Sequence, residues 1–271
     1  MIVGKNDIEK LLLEVHDRYG YDFTGYSRAS LQRRIDAFFS RSRLTNYSDI
    51  KNKLLNDTAY FMQFVEEVTV NVTEMFRDAT FYKYLREHVL PVLATYPFIR
   101  IWHAGCSTGE EVYSMAIILK EASLLQKSIL YATDLNAAVI EKAKKGIFPA
   151  GMMQQNSENY RKAGGIEDFS IYYTANYNSA KLDESLNKRM VFSTHNLVSD
   201  ASFNEFQLIL CRNVLIYFDR DLQEQVLKLF DKSLESLGFL ALGTKESIRF
   251  SAISDHYKQV GNKEKIWRKS R

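Results

Sequence analysis

Proline is scarce in this 271-residue chain: Pro91, Pro97 and Pro149 are the three, and no two are adjacent. Any motif built on a Pro-Pro pair is thereby excluded. Cysteine is scarcer still. Cys106 and Cys211 form no CxxC pair and no disulfide framework, which excludes a stapled secreted module and fits a reducing compartment. No apolar run approaches the ~20 residues needed to cross a bilayer. The opening MIVGKNDIEK lacks the apolar h-region of a secretory signal. A cytoplasmic protein without direct membrane insertion is expected. An excess of one charge is missing too. The net charge is +3 and the pI about 8.6, below the ~9 expected of a dedicated nucleic-acid binder. The five histidines show no metal-ligand spacing, so no metal is expected.

What is present is a core. With 46% hydrophobic and 13% aromatic residues the chain can bury a large interior, and a folded rather than disordered chain is expected. The first ninety residues read as helices. Ile8, Leu11, Leu12 and Val15 recur at helical spacing behind Asn6 or Asp7 as N-cap. Leu31, Ile35 and Phe38 repeat the pattern behind Ser27 or Ser30, and Phe61, Phe64, Val65 and Val68 make a third stripe. A further helix over 80–89 is expected to stop before Pro91.

From Phe98 short apolar strands alternate with amphipathic helices. Strands are expected at 99–103, 128–134, 190–196 and 206–213, with FLALG (239–243) as a fifth. Helices are expected from 110 to about 124, from Asn136 to a stop at Gly146, and from 220 to 237. Residues 256–268 read as a closing antiparallel hairpin with Gly261-Asn262 at its turn. The rhythm argues an α/β fold, a mostly parallel sheet covered on both faces. Residues 147–189 break it: they are polar and tyrosine-rich, and read as an inserted small β subdomain. The expected organisation is a helical N-terminal domain over 1–95 and an α/β domain over 96–271, with the insertion inside the second.

The stretch WHAGCSTGEEVYS, residues 102–114, runs from a strand end through a glycine turn into a helix, where open α/β sheets hold nucleotides. Its glycines fit neither GxGxxG nor a P-loop. Glu110 and Glu111 follow where a phosphate would need backbone N–H groups, which disfavours a dinucleotide oxidoreductase. An adenosine with a cationic tail suits these acids better, and Asp134, ending the second strand, is placed to accept ribose hydroxyls. S-adenosylmethionine (SAM) is such a molecule, with a sulfonium and an α-ammonium and no phosphate. An isolated acid pair at a helix start would merely complement the macrodipole, worth ~0.3–1 kcal/mol. The loop before the pair and Asp134 after it favour the ligand. Helix neighbours diverge by about 100°, so the two glutamates cannot flank one bond as acid and base.

NVTEMFRD (71–78), WHAGCSTGEEVYS (102–114), ATDLN (132–136), HNL (195–197) and LILCRNVLIYFD (208–219) occur in that order over almost the whole chain. Together with LGTKES (242–247) they resemble the CheR family, the chemoreceptor glutamate O-methyltransferases. The resemblance implies a class I, Rossmann-like SAM-dependent methyltransferase with an all-helical domain in front and a small inserted β subdomain. It also implies the reaction: methyl transfer from SAM to glutamate side chains of receptor cytoplasmic helices in chemotaxis-type adaptation, leaving S-adenosylhomocysteine. Carried over by motif, Asn71, Thr73 and Arg77 line the cofactor and reaction site, and Gly105 belongs to the cofactor loop. Glu110 is the ammonium partner, with Glu111 as the alternative. Asp134 holds the ribose, Asn196 and Leu197 the adenine region, Arg212 with Asn213 the methionine side. Tyr217 matches the family's active-site tyrosine. Val112 stands where proline is usual, His103 where serine is, and Met75 replaces the first of two phenylalanines. None of these removes a group assigned above. Some members dock a receptor C-terminal peptide through the insertion, which makes 147–189 a second candidate partner site.

A glutamate carboxylate is already a nucleophile at neutral pH, its ordinary pKa being near 4.3. No general base is needed, and Arg77 and Tyr217 are expected to orient groups rather than transfer protons. Between residues 27 and 45, Arg28, Arg33, Arg34, Arg41 and Arg43 face a single acid, Asp36. A solvated face opposite the Leu31/Ile35/Phe38 stripe is the plain reading. With an acidic receptor helix as substrate, Arg33, Arg34 and Arg41 become a docking face. His103 and His195, ending strands by the expected pocket, read as structural, as do Cys106 and Cys211. Two other readings stay open. One is a methyltransferase acting on nucleic acid or another protein; against the nucleic-acid form stands CRNVLIYF in the place of the Pro-Pro motif of exocyclic-amine methylases. The other is a non-catalytic SAM-binding signalling protein, against which stand Arg77, Asp134 and Tyr217. The expectation is a monomer whose partner is a receptor and not nucleic acid.

Overall fold

The computed structural model describes residues 5–42, 44, 46–69 and 73–270. Four helices open it: α1 (Lys5–Tyr19), α2 (Arg28–Arg41), α3 (Tyr47–Asn56) and α4 (Thr58–Val68). The three apolar stripes read from the sequence are buried together. α1 starts at Lys5, so Asn6 and Asp7 lie within its first turn instead of capping it. α3 buries just Ile50 and Leu54, too sparse a stripe to stand out by periodicity. It is fixed by capping instead: Asn46 accepts the N–H of Asp49, and Asp57 likewise caps α4 through Tyr60.

Two short helices, α5 (Ala79–Tyr84) and α6 (Leu90–Leu93), are joined by a π turn over Leu85–Val89. The helix therefore does not stop before Pro91. The Leu90 N–H reaches back five residues to the Leu85 carbonyl, and Pro91 falls in the first turn of the next segment, where a missing N–H is tolerated.

The α/β body follows as β1 (Ile99–Ala104), α7 (Glu110–Glu121), β2 (Ser128–Asp134) and α8 (Ala137–Lys145). The insertion holds β3 (Ile147–Pro149), α9 (Met153–Lys162), β4 (Tyr173–Asn176), β5 (Ser179–Leu182) and α10 (Glu184–Asn187). Then come β6 (Met190–Thr194), β7 (Phe206–Cys211), α11 (Arg220–Ser233), β8 (Leu234–Leu242), β9 (Tyr257–Gly261) and β10 (Ile266–Lys269). α11 ends four residues before the expected 237. Leu234 leaves the helix and pairs with Phe206 in β8, a buried position that a helical or a strand pattern could equally claim.

The main sheet has the order β6-β2-β1-β7-β8-β10-β9. Its first five strands are parallel, and β10 runs antiparallel to both β8 and β9. The chain winds outward from β1 through β2 to β6, then jumps to β7 on the other side. That reversal opens a crevice at the carboxyl ends of β1 and β7. Side chains alternate along β1: Ile99, Ile101 and His103 face one side, Trp102 and Ala104 the other. The first side is covered by residues 75–93, α7 and the insertion; the second by α1–α4 and α11. Where the sequence reading drew a boundary near residue 95, the apolar side chains from Met75 to Leu93 thus share a core with the sheet.

The insertion carries its own antiparallel sheet, β3-β5-β4. It is pinned to the body from below. Glu121, at the end of α7, pairs with Arg86 and accepts the hydroxyls of Tyr160 and Tyr172. No helix among the described residues is long and apolar enough to cross a membrane.

Candidate active site

Nearly all the residues expected from the sequence meet in the crevice. Gly105 and Asp134 come from the ends of β1 and β2, Asn196 and Leu197 follow β6, and Arg212 and Asn213 follow β7. Thr73 and Arg77 enter from the segment before α5, and Tyr217 from a single 3-10 turn over Leu215–Tyr217. Asn71 lies outside the described residues, as does Arg43. Gly105 adopts φ +80°, and a Cβ there would come within 2.5 Å of Val214 Cγ2. Glycine is what lets the loops after β1 and β7 pass each other at the mouth.

Asp134 is held rather than free. Its carboxylate accepts the Ser107 N–H at 2.9 Å and the Asn136 N–H at 3.0 Å. Burial raises its pKa, and these backbone donors pull the other way without cancelling the shift.

Of the two glutamates, the cleft takes Glu111 and not Glu110, the one ranked first from the sequence. Glu110 is turned aside to accept the Thr108 hydroxyl at 2.6 Å, and burial raises its pKa. Glu111 instead meets His103 Nδ1 at 2.9 Å and Arg212 Nη1 at 3.4 Å. Burial alone would raise the Glu111 carboxyl; the His103 and Arg212 partners outweigh it and leave the pKa lowered. One residue turns a helical side chain by about 100°, so the two neighbours meet different partners.

Arg212 is locked in turn, its side chain 2% exposed. Nη2 meets Asp78 at 2.6 Å, and Cζ sits 4.0 Å above the Phe81 ring. Asp78 and Phe76 both adopt left-handed backbone, at φ 59° and 54°. This tight turn sends Arg77 into the cleft and Asp78 onto Arg212. The insertion clamps it: Met75 N–H donates to Asn156 at 3.3 Å, and Asn159 donates to the Met75 carbonyl at 3.1 Å.

The proposed docking arginines separate. Arg34 lines the cleft, with Cζ 4.8 Å over the Tyr217 ring and its guanidinium donating to Val68 O at 2.5 Å and Ser30 Oγ at 2.7 Å. Arg33 lies on a separate groove between α1 and α2. Arg41 is tied to Glu67 by two bonds of 2.8 and 2.6 Å. The three do not form one face. Burial raises the Tyr217 pKa, and the charges of Arg34 and Arg77 oppose that rise.

Two residues that organise this site went unassigned in the sequence, and a third was read as structural. Tyr26, just before α2, pairs with Phe218 in an isolated antiparallel bridge: Ser27 N–H donates to Tyr217 O and Asp219 N–H to Gly25 O, both at 2.8 Å. Glu246 accepts the N–H groups of Gly243, Asn213 and Ile216, fixing the turn that carries Tyr217. It lies in LGTKES, quoted above without a role for any one residue. His103 was read as structural; its side chain is fully buried and it braces Glu111.

Two family models and several relatives match the chain over most of its length. The family model described as CheR methyltransferase, SAM binding domain, matches residues 71–266, and that described as CheR methyltransferase, all-alpha domain, matches residues 6–69. A putative methyltransferase, Cher3, of Pseudomonas putida is 47% identical over 266 residues, 97% of this chain and 97% of that protein. A chemotaxis protein methyltransferase of Vibrio anguillarum is 32% identical over 251 residues, covering 87% of this chain and 86% of its own. One of Listeria innocua is 30% identical over 231 residues, covering 84% and 85%.

Proposed function

The chain belongs to the CheR methyltransferase family, and on that premise we propose that it methylates glutamate side-chain carboxylates of a chemoreceptor-type signalling protein. SAM dependence comes with the family. The cleft fits that cofactor: Glu111 is an ionised acceptor for an ammonium, Asp134 an acceptor for ribose hydroxyls, and the loop passing Val214 at Gly105 leaves no room for a side chain. When bound, SAM supplies a methyl group on a sulfonium, transferred to a carboxylate oxygen as the carbon–sulfur bond breaks.

The observation that carries the glutamate reading is the charge layout. Arg34 and Arg77 both act on the Tyr217 hydroxyl, while Asp134 and Glu111 line the same cleft, Asp134 sharing the neighbour Tyr26 with Arg34. Two guanidiniums beside a phenol make a seat for a carboxylate. A carboxylate nucleophile has no proton to give up, so the residues around it need not include a base. The raised pKa of Tyr217 keeps its proton on the oxygen, where it can donate to one carboxylate oxygen while the other attacks. Arg34 and Arg77 draw in and align the substrate anion. In this reading residues 1–95 dock the receptor helix, and the insertion offers a second contact for a receptor C-terminal peptide.

The test uses tritiated SAM and a chemoreceptor cytoplasmic fragment. An ester releases volatile methanol on treatment with base; label that stays on the protein after base marks an N-methyl product and overturns the glutamate assignment.

A further inference from the structure

Tyr82, on α5, is fully buried, and its hydroxyl has no hydrogen-bond partner. Its ring packs edge-on against Phe76 and Phe81, with centroids 5.2 Å apart in each case. The Ser114 hydroxyl lies close enough to act on it but outside hydrogen-bond geometry; Ser114 Oγ donates to Glu110 O at 2.7 Å and accepts the Phe76 N–H at 2.9 Å. A buried hydroxyl without a partner is costly, and phenylalanine would fill the same space without that cost. The oxygen is therefore unexplained by packing.

Tyr82 also lines the cleft, beside Glu111 and Arg212. Arg212 contributes a second buried donor without a partner, its Nε, because its Nη atoms are taken by Asp78, Glu111 and the Arg77 carbonyl. Two idle donors and one ionised acceptor on the same wall are the complement of an α-amino-acid zwitterion. A carboxylate suits the donors, and an ammonium suits Glu111. We propose that Tyr82 is a cofactor-binding residue whose hydroxyl donates to the α-carboxylate of the methionyl end of SAM, alongside Arg212 Nε. The proposal rests on SAM as cofactor and not on glutamate as methyl acceptor, so it and the methanol-release assay fail independently.

The test is Tyr82→Phe in the full chain, with calorimetric titration of two ligands. S-adenosylhomocysteine carries the amino-acid end; 5′-methylthioadenosine lacks it. Losing a hydrogen bond to a charged acceptor should weaken S-adenosylhomocysteine binding roughly 10- to 100-fold. Methylthioadenosine affinity should stay within about twofold, because the bond removed is one it never makes. The melting temperature should not fall, since the ring contacts remain and an unpartnered hydroxyl is gone. Unchanged S-adenosylhomocysteine affinity overturns the proposal. Equal weakening of both ligands, with or without a lower melting temperature, assigns Tyr82 to cleft shape and overturns it as well.

Discussion

The N-terminal helices line the cleft and the insertion does not; each shares an apolar core with one face of the sheet, and they differ in the polar contacts added to that core. The insertion is held by buried polar contacts set in a shared apolar core: Glu121 with Arg86, Tyr160 and Tyr172, and two asparagines on Met75. The N-terminal helices reach the rim of the site itself. They touch it through the Tyr26–Phe218 bridge and the Arg34–Tyr217 stack, while an exposed Glu66–Lys142 pair lies outside the cleft. Damage to the first attachment should therefore appear as lost stability, and damage to the second as lost turnover.

The sharpest test is Glu121→Ala. It strands Arg86, whose side chain is 15% exposed, without its buried partner. Breaking such a pair costs about 3–5 kcal/mol, which a denaturant titration would read; a near-neutral result would erase the distinction between the two attachments. Next in size is Tyr217→Phe, which should lower turnover roughly 10- to 100-fold, as expected for one hydrogen bond to a charged group. Affinity for S-adenosylhomocysteine and unfolding free energy should hardly move. Because burial raises the Tyr217 pKa above its ordinary value near 10, the donor stays protonated as pH climbs. Turnover should accordingly be flat from about pH 6 to 9, with glutamate ionised throughout. A step inside that window would reveal a titrating base and contradict the mechanism.

Arg34→Ala should cost somewhat less. The cation–π contact is worth ~0.5–2 kcal/mol, so turnover should fall several-fold and the apparent KM for receptor should rise, with cofactor affinity kept. Kinetics that move in cofactor KM alone would place Arg34 with the acids instead. Smallest is Glu66→Ala at an ion pair whose side chains are 47% and 55% exposed. Pairs of this kind contribute ~0–1 kcal/mol, and neither stability nor turnover should change measurably.

The parts of the site legible in the sequence are those fixed by chain direction. A carboxylate that ends β2 has to face the crevice, so Asp134 could be placed without knowing anything distant. The choice between Glu110 and Glu111 could not, because it is made by His103 on β1 and Arg212 after β7, eight and 101 residues away. Arg34 was partly legible. It sits three residues after Leu31 and four before Phe38, hence nearer the buried stripe than Arg33 is. Reading the arginines as one cationic face overlooked that spacing. The helix through Pro91 and the early end of α11 were missed for a related reason: a π turn and a shared buried leucine leave no periodic trace.

The clamp of Asn156 and Asn159 on Met75 has a consequence for anyone who would re-address this enzyme to another partner. The insertion looks like an exchangeable cassette, bounded by β3 and α10 on a body complete without it. Yet α9 supplies hydrogen bonds to the backbone that aims Arg77, and Tyr160 packs its ring 5.2 Å from Phe76 in the same turn. A transplanted cassette must bring those three side chains with it. The territory open to redesign is the outer edge of its sheet, where Thr174, Ala175 and Asn176 of β4 face solvent.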